Sequence, residues 1–228
     1  MSARRQKSRN PFSRRSSSPG STGKTILIVT EGLKTEPDYL KGLRNHLKLK
    51  AVDIEIMKAA GTDALSVVNY AIKMRNDRKR EARRGCTVSY DSVWAVFDTE
   101  RADTNPKLKE AIHKAGVHKI DVAISNPCFE FWLLLHDEFT TAPFVKCENV
   151  IRRIKDRYLP DYEKNNIPVE SYIPKIPTAV RNAEQCQNYH KTAGADGNPS
   201  TDVHLLVREM NDATRKHFRL DLPLDKVQ

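Results

Sequence analysis

The chain has no apolar run approaching the roughly 18–20 residues that a membrane-spanning helix needs. Nor does an apolar stretch follow the basic opening MSARRQKSRN, so the pair Arg14-Arg15 is not expected to belong to a secretory or twin-arginine signal. Cysteine is sparse. Cys86, Cys128, Cys147 and Cys186 are scattered and form no CxxC, which argues against a zinc site or a disulfide framework and for a reducing cytoplasm. Acidic residues are missing from positions 1–24, which carry seven basic side chains. Most of the net charge of +10 therefore lies in a Ser-rich tail, residues 1–23 with Lys24, that cannot bury a core and is expected to be disordered. Such a tail either attracts a polyanion loosely or only solubilises, so charge alone does not define a nucleic-acid protein.

What is present is one good-sized domain's worth of chain. With 228 residues, 39% hydrophobic and 30% charged, it can hold a substantial core under a densely charged surface. The first motif to meet the eye, GKT at 23–25, resembles the end of a phosphate-binding loop. Such a loop needs G-x-x-x-x-G-K-[ST] between a strand and a helix. Here Ser18 stands where the first glycine should be, and GKT precedes the strand. That reading fails.

TILIVTEG, VDIEIMK, SVWAVFDTE and IDVAISNP read as four strands, two of them continuously apolar as in a sheet buried on both faces. Between them lie helical patterns. One runs from Thr35 as N-cap, one from about Asp63, and one opens at Asn105-Pro106 and is closed by Gly116; Pro127 then begins FEFWLLLH. The alternation implies an α/β fold with a mostly parallel sheet flanked by helices over residues 24–140. Residues 141–228 read as a loop and C-terminal helical extension packing on the core, with helices in TAVRNAEQCQNYHK and STDVHLLVREMND.

Ligands of open α/β sheets gather at the carboxyl ends of the strands. Glu31 ends strand 1, with Gly32 allowing a tight turn and Glu36 in the next helix. Asp98 and Glu100 end strand 3, and Glu130 follows strand 4. If the strands are parallel neighbours, these five carboxylates share one rim. Like charges that close require protonation or a cation, and an all-oxygen set suits Mg²⁺ or Mn²⁺. The plainer reading of Glu36 and Glu130 is compensation of a helix dipole, and Glu100 could pair with Arg101. Phosphate charge would need a basic partner, and Lys34, Arg101, Lys175 and Lys191 qualify, Lys34 being nearest in sequence. RNDRKREARR, with Arg78 and Arg80, either contacts phosphates or is a solvated helix end. Ser200 or Thr201 either caps a helix whose N-terminus binds phosphate or simply caps it. Phe131 and Trp132 are core residues by pattern. His136 and His190 are structural, or catalytic if the chain cleaves RNA.

VTEG with a strand ending in an acidic pair resembles the Toprim domain. More narrowly, TEGLKTEPDYL, AVFDTE, AISNPCFEFWLLLH and GNPSTDVHLLV together resemble the RloB family over about residues 24–211. The resemblance implies a Toprim-like catalytic core, linkage to restriction or abortive-infection loci and a separate ATPase partner. It carries Glu31 onto the motif glutamate, and Asp98 and Glu100 onto the acidic pair. Glu100 departs from that pattern, which has aspartate there, and Asp103 could substitute. The expectation is a Mg²⁺-dependent endonuclease of anti-phage defence, acting on RNA such as tRNA, or on DNA. It has no membrane partner and room for a homo-oligomer. The alternative is a non-catalytic subunit that binds nucleic acid or an ATPase on a degenerate Toprim scaffold.

Overall fold

Hydrophobic alternation along the first strand decides the architecture. In β1 (Ile26–Thr30), Ile26 and Ile28 face one hydrophobic cluster, whereas Leu27 and Val29 face a second. Both sides of the strand are therefore buried, as a doubly covered sheet requires. The computed structural model describes residues 23–50, 53–61, 63–99, 106–194, 197–215 and 218–223. After β1 come α1 (Thr35–His46), β2 (Ile54–Lys58), α2 (Ala64–Arg83), β3 (Ser92–Asp98), α3 (Pro106–His118), β4 (Asp121–Asn126) and α4 (Glu130–Leu134). Then follow α5 (Cys147–Arg157), α6 (Val169–Tyr172), a 3-10 turn (Ile173–Lys175), α7 (Ile176–Ala193), β5 (Ser200–Thr201) and α8 (Val203–Ala213).

The sheet has the order β2-β1-β3-β4-β5. The first four strands are parallel, and the two-residue β5 runs antiparallel on β4, setting Ser200 opposite Asn126. The expected α/β class, mostly parallel sheet, flanking helices and C-terminal helix are all present. α2 and α3 cover one face. The other face is covered by α1 and α4 together with Val150 and Ile154 of α5, Val180 of α7 and Leu206 of α8. The segment beyond residue 140 thus shares a core with Ile26 and Ile28.

Local chemistry explains the boundaries, including those the sequence misplaces. Asp63 caps α2 as expected, its carboxylate accepting from the Ser66 backbone N–H at 3.1 Å and from the Ser66 hydroxyl at 2.8 Å. Thr35 does not cap α1. It is the first helical residue, and its hydroxyl donates instead to the Lys164 carbonyl at 2.9 Å, tying α1 to a distant loop. Gly116 does not close α3, which continues to His118; the turn comes at Lys119, with φ 53°. Ser200 and Thr201 lie in β5 and the N-cap of α8 is Asp202, but the Thr201 hydroxyl oxygen still accepts from the Val203 N–H at 3.3 Å, at the first residue of the helix. Besides its apolar face, α8 is tied to the sheet by a carboxylate. Glu209 accepts from Trp94 Nε1 and Ser92 Oγ, each at 2.5 Å, and pairs with Lys24 at 2.5 Å. No described helix is long and apolar enough to cross a membrane.

Candidate functional site

The order β2-β1-β3 makes the chain leave β1 in one direction and return to its other side, so the crevice at the carboxyl ends of β1 and β3 is the switch point of the sheet. Glu31 and Asp98 flank it. The Asp98 backbone N–H donates to Glu31 Oε2 at 3.2 Å, and the Glu31 backbone N–H donates to the Val96 carbonyl at 3.0 Å. A cavity of about 340 Å³ opens there, lined by Glu31, Gly32, Lys34, Glu36, Asp98, Glu130 and Lys164, among others. Four of the five carboxylates read from the sequence therefore meet at one pocket. Glu100, like Arg101 and Asp103, lies outside the described residues.

The pocket disfavours charge on two of its acids, Asp98 and Glu36. Burial pushes the Asp98 carboxyl well above the usual range, and Glu36, Glu130 and Glu31 push it further as like charges. Glu36, 6% exposed, is raised first by burial and then by Glu130, against hydrogen bonds from its own backbone and that of Gly32. The four acids do not close on a point. Among the described residues, the only three ligand-type groups within 4.8 Å of one another are Cys128, Glu130 and Cys147. The rim is a spaced oxygen set, which fits a hard cation that keeps several of its waters and takes only one or two carboxylates directly.

Gly32 is what lets Glu36 reach the pocket. A Cβ there would fall 1.8 Å from Glu36 Oε2. Gly32→Ala is therefore expected to expel the Glu36 carboxylate and, on the cation reading proposed below, to weaken Mn²⁺ binding by about tenfold or more. Calorimetry reads the loss, and an unchanged far-ultraviolet circular dichroism spectrum shows the fold intact.

Glu130, 2% exposed, is the most heavily partnered of the four. Lys164 Nζ lies 3.1 Å from its Oε1, the Tyr162 hydroxyl donates to the same oxygen at 3.4 Å, and Cys147 Sγ lies 3.1 Å from Oε2. Lys164 is the basic residue that the sequence reading missed. Nothing in YLPDYEKNNIP marks it, and its loop is held at the rim by long-range contacts, from Thr35 of α1 and from Glu130. Cys147 forms a disulfide with Cys128, Cα atoms 5.6 Å apart. This corrects the expectation of no disulfide. The pair is 19 residues apart, and it meets because Cys128 follows the turn after β4 while Cys147 is the first residue of α5.

The remaining candidates fall into place plainly. Lys34 stands exposed on the pocket wall before α1. Arg78 has partners within the chain and does not line the pocket: it pairs with Glu55 at 2.8 Å, donates to the Val88 carbonyl and lies over the Tyr90 ring. Arg80 is exposed and pairs with Asp77 on its own helix at 3.1 Å. Lys175 is bound to Asp137 at 2.5 Å and does not line the pocket. Lys191 is exposed in the last turn of α7, and Ser200 is half-buried against β4; neither lines the pocket. His136 is buried and neutral, its pKa driven down to about 3 by burial. Its Nδ1–H donates to the Trp132 carbonyl at 2.9 Å, which leaves Nε2 to accept from the Tyr39 hydroxyl at 3.1 Å. His190 donates through Nε2 to the Pro199 carbonyl at 2.9 Å. Neither histidine lines the carboxylate pocket.

Fold and pocket together define an α/β protein with a carboxylate site at the switch point of a parallel sheet. The chain belongs to a family: the sequence model described as RloB-like protein matches residues 26–210. In comparisons with curated proteins and with solved structures, nothing matches.

Proposed function

We propose that this RloB-like protein is a Mg²⁺- or Mn²⁺-dependent nuclease of Toprim type. It hydrolyses phosphodiester bonds in RNA, tRNA being the first substrate to try, or in DNA. It does so in the cytoplasm during anti-phage defence, alongside a separate ATPase. One observation carries the reading: Glu31 and Asp98 stand side by side at the ends of adjacent parallel strands, in a pocket where burial and the neighbouring acids Glu36, Glu130 and Glu31 raise the Asp98 carboxyl above its usual range.

Glu31, Asp98, Glu36 and Glu130 are the residues that would hold the cation. When bound, it supplies Lewis-acid stabilisation to the phosphodiester and makes water acidic enough to attack at neutral pH. The chain does the rest. Glu31 is held in place by the Asp98 backbone, so its carboxylate is oriented before substrate arrives. Lys34, on the exposed wall, meets the negative charge that builds on the phosphoryl oxygens. Lys164 compensates Glu130 in the absence of a cation and can turn outward to phosphate, since its side chain is half-exposed.

Incubation with total tRNA and with plasmid, in Mg²⁺, in Mn²⁺ and in EDTA, tests the reading. A discrete product that needs the cation is the expected result; cleavage that persists in EDTA overturns it. The Lys164–Glu130 pair favours one other reading, a non-catalytic subunit whose acids are already neutralised. That reading predicts no Mg²⁺ heat by calorimetry, yet stable co-purification with an ATPase.

A further inference from the structure

We infer that Cys128 and Cys147 form a reversible redox-modification site that controls access of a divalent cation to Glu130, an inference that rests on the carboxylate pocket proposed above. The two sulfurs are bonded, and Cys147 Sγ sits 3.1 Å from Glu130 Oε2 and 3.6 Å from Lys164 Nζ. In the oxidised form the disulfide therefore covers one carboxylate oxygen while Lys164 and Tyr162 occupy the other. Both Glu130 oxygens are thus in contact with other groups at the pocket wall, and a cation must compete with them.

Reduction changes this by simple geometry. Two thiols cannot stay at bonding distance, so the sulfurs must separate to van der Waals contact. Cys128 is fully buried at the turn between β4 and α4, whereas Cys147 is only partly buried at the first residue of α5. Cys147 is the half of the pair that can move, and its withdrawal uncovers Oε2. It is also the half that an external thiol can reach. With glutathione disulfide as oxidant, the Cys147 thiolate attacks one glutathione sulfur, forming a mixed disulfide and releasing one glutathione. Cys128 then attacks the Cys147 sulfur and releases the second. The protein pair loses two electrons, the glutathione couple gains them, and the two thiol protons finish on the two glutathiones.

The test uses the full chain carrying Cys86→Ser, which removes the exposed free cysteine as a source of intermolecular bonds. The protein is equilibrated in reduced and in oxidised glutathione, and the pair is read by alkylation and intact mass. Mn²⁺ affinity is measured in each buffer from the electron paramagnetic resonance of free Mn²⁺. The expected result is reversible formation of the bond, with binding about tenfold weaker when oxidised. Adding Cys147→Ser should give the reduced-state affinity in both buffers. Equal affinity in the two buffers, or a pair that does not interconvert, overturns the redox control and leaves the pocket standing. Absence of Mn²⁺ binding in every state overturns the pocket reading, and the redox control with it.

Discussion

Asp98→Asn is expected to abolish cation-dependent cleavage and, in the same protein, to raise the melting temperature measured without divalent cation at neutral pH. The two effects share a cause. The Asp98 carboxyl is pushed up by burial and then by Glu36, Glu130 and Glu31, and Glu36 is raised by burial and by Glu130. A carboxyl whose folded pKa exceeds its unfolded value contributes stability that is fully present below the unfolded pKa and disappears as pH rises through the folded one. Without a cation, these two groups should make the protein less stable at neutral pH than near pH 4, the ordinary carboxylate range. Added Mn²⁺ should reverse the slope, because the ionised acids then have a partner. Asparagine keeps the shape of aspartate and removes its charge. A gain of about 2–4 °C is the size of effect that relief of about 1 kcal/mol gives a chain of this length. Loss of cleavage should reach at least about 100-fold, as for other groups that act on transition-state charge. Thermal scans from pH 4 to 8, with and without Mn²⁺, check the first part, and single-turnover cleavage checks the second. A variant that melts lower and still gains stability from Mn²⁺ would contradict the assignment of Asp98 as a ligand.

The largest effect on the fold is expected at a different carboxylate. Glu209→Ala removes the acceptor shared by Trp94 and Ser92 and the partner of Lys24, and so loosens α8 from β3 and from the segment that enters β1. Trp94 is only 7% exposed, and leaving its indole N–H without an acceptor costs roughly 1–3 kcal/mol. Burial raises the Glu209 pKa, but the hydrogen bonds from Lys24, Ser92 and Trp94 outweigh it, and the net shift is downward. The sign is therefore opposite to that of Asp98. This contribution is present above the ordinary value of 4.5 and fades as pH falls through the lowered one. Urea unfolding at pH 7 should show a lower midpoint for Glu209→Ala, and the difference from the unmutated protein should shrink on acidification. A constant difference across that range would remove the ionised form of Glu209 from the explanation.

The parts of this molecule that were legible in the sequence are those fixed by local pattern. ILIVT and VWAVF are apolar at successive positions because the sheet is covered on both faces, and the acids that end them had to fall on one rim once the strands were parallel. Contacts between distant residues left no such trace. Lys164 reaches the site through a hydroxyl 129 positions away, and a search for CxxC cannot see two cysteines joined by a loop and a helix start. The helix CENVIRRIKDR passed for irregular chain. It buries only Val150 and Ile154, a stripe too narrow to stand out among charges. The run at Arg78 left two readings open in the sequence, and the partner of Arg78 itself, Glu55 on strand β2, is likewise distant in the chain.

The acids that would do chemistry occupy positions 31 to 130, whereas Cys147, Tyr162 and Lys164, which crowd Glu130, come later in the chain. Reactivity and restraint are thus written in separate stretches of the gene. Selection can loosen or tighten the later stretch without rewriting the earlier one. A lineage exposed to a new threat could change when this protein acts while keeping what it does.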